Sequence, residues 1–105
     1  MPWKYKSDEF AWRARLRESG YSYIEKLKSV PCLDCGINYP HYSMEFDHVP
    51  ERGTKKHDIT SLAVRCKPTA KVLVHELAKC DVVCRNCHGA RTYSRRVGAG
   101  KLTNL

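Results

Sequence analysis

Two C-x-x-C pairs, Cys32-Leu-Asp-Cys35 and Cys84-Arg-Asn-Cys87, place the tightest constraint on this chain. Two residues between the cysteines let both sulfurs of a tight turn reach one metal, so a pair of such knuckles closes a tetrahedral Zn²⁺ site with Zn–S bonds of about 2.3 Å. Residues 32–35 and 84–87 must then meet in space, whatever lies between them. Four thiolates leave no open coordination position, so this zinc is expected to be structural. Six cysteines also allow a disulfide framework, but a framework has no need of two identical knuckles. The start Met-Pro-Trp-Lys has no hydrophobic signal region, which points to a reducing, cytoplasmic setting where thiolates persist. Cys66 and Cys80 are left over and read as buried free thiols.

A chain of 105 residues makes one small domain. At that size only about two-thirds of the unfolded surface is buried, so a zinc staple supplements a modest core. No apolar run is long enough to span a membrane. The net charge of +8 is distributed unevenly. Residues 1–31 carry seven Lys/Arg against four acids, residues 32–84 carry seven of each, and residues 85–105 carry five basic residues and no acid. Two basic flanks around a neutral centre suit a polyanion held across a site, with a merely soluble basic surface as the plainer reading.

Along the chain, Ser7-Asp8-Glu9 opens a helix that Ser19-Gly20 should stop, and the capping-box pattern Ser22-Tyr-Ile-Glu25 opens a second short helix through Lys28. Ser43 to Asp47 alternates as a strand does, and Pro50 limits its run. Glu51 to His57 reads as an exposed loop, after which Ile59, Leu62 and Val64 return to the core. A helix is expected over 68–78, with Val72, Leu73 and Leu77 at helical spacing. Asp81-Val-Val is a short strand entering the second knuckle, and residues 88–96 form a closing helix. The expected organisation is a basic helical extension over 1–30, a zinc-bound core over 31–96 and a flexible tail over 97–105.

An Asp47-His48 pair lies between the knuckles, and His88 directly follows the second one. Phosphodiester hydrolysis needs an activated water, a cation on the phosphate and help for the leaving oxygen. Imidazole deprotonates water near neutral pH, and a carboxylate is a hard ligand for a divalent cation. Neighbours in a regular strand point to opposite faces, so Asp47 and His48 serve one phosphate only if the strand ends or twists there. His88 falls at the first turn of the last helix, beside a zinc ligand, and a helix N-terminus also favours phosphate. Each residue alone has a plainer reading. The order C-x-x-C, Asp-His, C-x-x-C-His is what singles out the three together.

Three blocks carry a family resemblance: Lys28-Ser-Val-Pro-Cys-Leu-Asp-Cys-Gly36, Met44-Glu-Phe-Asp-His48 and Glu76-Leu-Ala-Lys-Cys-Asp-Val-Val-Cys-Arg-Asn-Cys-His88. They resemble the small phage and bacterial HNH endonucleases, and among these the recombination endonuclease VII-like branch. The resemblance covers residues 22–95 and implies an α+β fold: a zinc-stapled ββα-metal domain with N-terminal helices and a C-terminal helix. It implies that Cys32, Cys35, Cys84 and Cys87 hold zinc and that His48 is the general base. Asp47 and His88 would hold a catalytic Mg²⁺ or Mn²⁺, with Ni²⁺ or Zn²⁺ as further candidates. The expected partner is DNA, with no membrane, alongside phage packaging or recombination proteins in a bacterial or phage-infected cell. The chain departs from the pattern at Lys79, where the middle Asn should fall, and at Gly89, where a basic residue usually follows the motif histidine.

Arg13, Arg15, Arg17, Lys55, Lys56, Arg91, Arg95 and Arg96 are the candidate DNA contacts; for Arg91 a solvated helix face is an equal reading. Trp12 reads as core, with base stacking as the alternative. His75 reads as a surface or half-buried residue, and His41 and His57 as loop residues, His57 with a possible reach to metal or DNA. Two rival functions stay open: a non-catalytic zinc-ribbon DNA-binding module, and a metal-dependent RNase or toxin nuclease.

Overall fold

The computed structural model describes residues 6–98. One long helix, α1 (Lys6–Lys28), is followed by the first knuckle, strand β1 (Met44–His48), two short helices α2 (Ile59–Ala63) and α3 (Lys71–Leu77), strand β2 (Cys80–Cys84) and helix α4 (Arg85–Gly98). The fold is therefore α+β, with a two-stranded antiparallel sheet. No helix among the described residues is long and apolar enough to cross a membrane.

The first helix does not stop at Ser19-Gly20. Asp8 and Glu9 in its first turn and Lys26 and Lys28 in its last complement the helix dipole. Gly20 lies mid-helix and buried, because α2 crosses there: a Cβ at this position would sit 2.1 Å from the Ala63 carbonyl oxygen and 2.8 Å from Val64 Cα. The glycine signals close approach of two backbones, which reads in the sequence like a stop. The Ser22-Glu25 pattern accordingly caps nothing. One turn after Gly20, Ile24 enters the core with Ile59, Leu62, Ala63 and Leu73, so the C-terminal half of α1 belongs to the domain rather than to an extension.

The expected helix over 68–78 shortens to Lys71–Leu77, with Pro68-Thr-Ala forming the approach turn. Its Leu73 is fully buried, but Val72 is exposed, contrary to the helical-spacing expectation. Trp12 also lies outside the core, at 37% exposure, against Leu16 and Val64 in a shallow cleft with Arg13, Arg17 and Arg65. Cys66 and Cys80 are free but only half-buried beside the first core. Of the expected tail, Val97 and Gly98 form the end of α4, and the remainder lies outside the described residues.

Two antiparallel strands are marginal alone. Here Met44 and Val83 pack with Cys32 and Cys84 into a second core beneath the knuckles. The register pairs Met44 with Cys84, Asp47 with Asp81 and His48 with Cys80. It therefore puts two carboxylates opposite each other on one face, an unfavourable pairing unless a cation bridges them. The last helix starts at Arg85, directly after β2, and places His88, Arg91 and Arg95 toward that face.

Gly20→Ala should lower stability by about 1–3 kcal/mol, because the clash outweighs the roughly 1 kcal/mol helix-propensity gain. Gly89→Ala, where a Cβ meets nothing within 4 Å, should instead gain up to about 1 kcal/mol. Urea unfolding of the two variants separates close approach from mere helix weakening.

Candidate metal centre and adjoining cleft

The four sulfurs of Cys32, Cys35, Cys84 and Cys87 lie within 4.8 Å of one another. Tetrahedral zinc with 2.3 Å bonds needs sulfurs about 3.8 Å apart, so the cluster fits the ion with small adjustment. The first knuckle turns through Gly36, whose φ of 73° lies in the left-handed region, and its N–H donates to the Cys32 carbonyl at 2.8 Å. Leu33 N–H donates to the Val82 carbonyl at 3.1 Å, fastening this knuckle to β2. The second knuckle is the β2–α4 junction. Cys84 N–H points at Cys32 Sγ (3.3 Å) and Cys87 N–H at Cys84 Sγ (3.4 Å). Burial opposes charge on Cys32, but the N–H groups of Cys35, Cys84 and Asp34 outweigh it and draw its thiol down to about 6. Cys32 is thus drawn toward thiolate, the form that binds metal, whereas the neighbouring Cys84 sulfur, with burial, pushes the Cys87 thiol up to about 12.

Arg91 ties this knuckle to the strand face. It donates to both oxygens of Asp34, inside the first knuckle, at 2.6 Å each, and its Nη1 reaches Asp47 at 2.7 Å and Asp81 at 2.9 Å. It is the cation that the Asp47–Asp81 register requires. Arg95 adds a two-pronged contact to Asp47 at 2.7 and 2.8 Å. Asp47 is 1% exposed, and the Arg95 guanidinium, with Arg91, holds its carboxyl at about 2 against the opposing effect of burial. His88 Nε2 stands 3.3 Å from Asp47, and Nδ1 2.6 Å from Glu45. Among the described residues, the cysteine cluster is the only set of three or more His, Cys, Asp or Glu ligand atoms gathered closely enough for an ion. Asp47 and His88 are brought together, but inside a closed ion-pair network.

His48 turns to the other side of β1. Its Nε2 lies 3.0 Å from Glu76 Oε2, on a carboxylate that is 2% exposed. Burial would raise the Glu76 pKa, but the Lys56 N–H, the Lys79 ammonium and the His57 N–H outweigh it and hold it at about 2. Lys79, itself buried, donates to Glu76 Oε1 at 3.1 Å and to the Thr54 carbonyl at 2.9 Å, pinning the loop after His48.

A cleft of about 320 Å³ borders β1 at Glu45, Phe46 and His48. His48 and His88 both line it, with Glu45, Lys28 and Lys55. Beyond His88 a second depression of about 390 Å³ is lined by Arg85, Arg96 and Tyr93. Of the candidate DNA contacts, Lys55 and Arg96 therefore border His88, and Arg15, Arg17 and Lys56 are exposed. Arg13 pairs with Glu9 at 2.6 Å. Arg91 and Arg95 serve the carboxylate cluster instead of an open helix face. His75 and His57 are exposed, and His41 lies 3.4 Å from Glu25.

Glu45, Glu76, Lys28 and Arg85 were not among the residues singled out in the sequence. Glu45 alone carried a signal there, since it shares a strand face with Asp47 two residues on.

Comparison with known proteins gives no match to any family model, curated protein or solved structure.

Purified protein should contain about one zinc per chain, and Cys84→Ser should lose both the metal and most of the fold, because structural zinc contributes folding free energy directly. Elemental analysis and circular dichroism check both. Acid should destabilise the chain in a defined window. Asp47 and Glu76 are both held at about 2 in the fold, below the ordinary carboxylate values near 4. Their stabilisation is then full above about pH 4–5 and is lost as pH falls toward 2. Urea midpoints measured from pH 6 down to 2 should fall in that range, and less steeply in Arg95→Ala.

Proposed function

We propose that this protein is a zinc-stapled HNH-type endonuclease that hydrolyses DNA phosphodiester bonds at the cleft along β1. The supporting observation is that His48 and His88, on different elements, line one cleft with Lys28 and Lys55. Lys28 and Lys55 share this lining with Glu45 and Asp58, and Arg85 and Arg96 beside it add positive charge suited to a phosphate backbone.

In this reading His48 takes a proton from water. The water oxygen forms the new P–O bond, the bond to the leaving oxygen breaks, and that oxygen takes a proton from solvent. A divalent cation, Mg²⁺ or Mn²⁺, held by Asp47 and His88 would neutralise charge on the scissile phosphate. The residues as they stand do not form an open site for it, since Arg91 and Arg95 occupy both Asp47 oxygens. Lys79, at the position of the pattern's Asn, holds the loop after His48 through Thr54.

That closed Asp47 favours a second reading, a non-catalytic zinc-ribbon module that binds nucleic acid through the same basic surface. Incubation with supercoiled plasmid in Mg²⁺, Mn²⁺ or EDTA separates the two. His48→Ala should reduce cleavage by about 10²–10⁴-fold, the range of a general base, with zinc content and DNA binding retained. His75→Ala should cleave normally. Parental activity in a contaminant-free His48→Ala preparation rules out this site.

A further inference from the structure

Glu76 is a buried charge that the proposed chemistry has not used. It sits on α3, far from His48 in sequence, yet one oxygen is 3.0 Å from His48 Nε2. Oε2 also accepts the Lys56 N–H at 3.1 Å, and Oε1 takes the Lys79 ammonium. An ionised carboxylate can only accept, so the contact requires a proton on Nε2. The neutral ring then carries its lone pair on Nδ1, because each imidazole nitrogen is defined by the bond that the other makes. At 2% side-chain exposure Glu76 is shielded from water, and at 13% His48 keeps a small open surface toward the cleft.

We infer that Glu76 and Lys79 are positioning residues: Glu76 holds the His48 ring by Nε2–H and selects Nδ1 as the nitrogen that takes the proton from water, while Lys79 balances the buried charge and anchors the following loop. This rests on the nuclease reading. A carboxylate that orients a base this way lowers the barrier without touching the substrate, by keeping one tautomer and one ring orientation populated. The buried pair also holds the segment that follows the base, because Lys79 reaches the Thr54 carbonyl and Glu76 receives the Lys56 N–H.

The test is long-range ¹H–¹⁵N spectroscopy of the zinc-loaded full chain at alkaline pH, where imidazoles are neutral, with His48→Ala used to assign the signal. The expected spectrum shows His48 protonated at Nε2 and bare at Nδ1; the opposite tautomer overturns the inference. The paired change Glu76→Leu with Lys79→Met removes both charges together, since a lone buried charge would unfold the domain. It should leave His48 as a tautomer mixture and lower kcat by about 10²-fold, within the range of general-base catalysis, with KM for DNA nearly unchanged. Parental kcat in that variant overturns the positioning role. If the variant does not fold, the parental spectrum decides. A parent with the Nε2–H tautomer that cuts no DNA refutes the nuclease reading and the catalytic role with it, while the hydrogen bond itself stands.

Discussion

Arg91 is the interaction on which the arrangement of this small domain turns. The sheet register sets Asp47 against Asp81, and the first knuckle adds Asp34 nearby. Three carboxylates around one point would repel strongly in a half-buried setting. A single guanidinium on α4 reaches all three, with its planar fork matched to carboxylate geometry. It joins the first cysteine turn, both strands and the last helix in one network. The four clustered sulfurs lie where the ends of these elements meet, and Arg91 ties their faces.

The same network has a functional consequence. A buried carboxylate with two arginine partners is stable as an ion pair and poorly available as a metal ligand. Asp47 is in that state, with His88 beside it and Glu45 holding the other side of the His88 ring. In the proposed nuclease reading a divalent cation would compete with these arginines for Asp47, and a phosphate backbone would offer Arg95, the more exposed of the two, an alternative anion. His48 belongs to a separate network on the opposite side of β1, built on Glu76 and Lys79. The strand thus turns Asp47 toward α4 and His48 toward α3.

Much of the site was readable from residue order. The C-x-x-C spacing required the two knuckles to meet, and they do. A strand over Ser43 to Asp47, a second strand before Cys84 and a closing helix follow from alternation and from the knuckle positions, and the structure shifts the first strand by one residue to Met44–His48. The helix break at Gly20 was misread because a glycine for close packing and a glycine for termination are the same letter. Only the crossing of α2, with the Ala63 carbonyl against Gly20, tells them apart. Arg91 and Arg95 looked like phosphate ligands because a sequence shows a basic helix and not the acids that face it.

Local chemistry in the chain marked the four cysteines that could hold a metal, the adjacency of Asp47 and His48 and the basic flanks, because ligand spacing and charge are properties of neighbouring residues. Tertiary structure decided which partners those groups have. Glu76 meets His48 across 28 positions, and Arg91 meets Asp34 across 57. Contacts at that separation depend on strand register and helix packing, which no local pattern encodes. They determine whether a carboxylate is open or closed and which partner a histidine nitrogen meets.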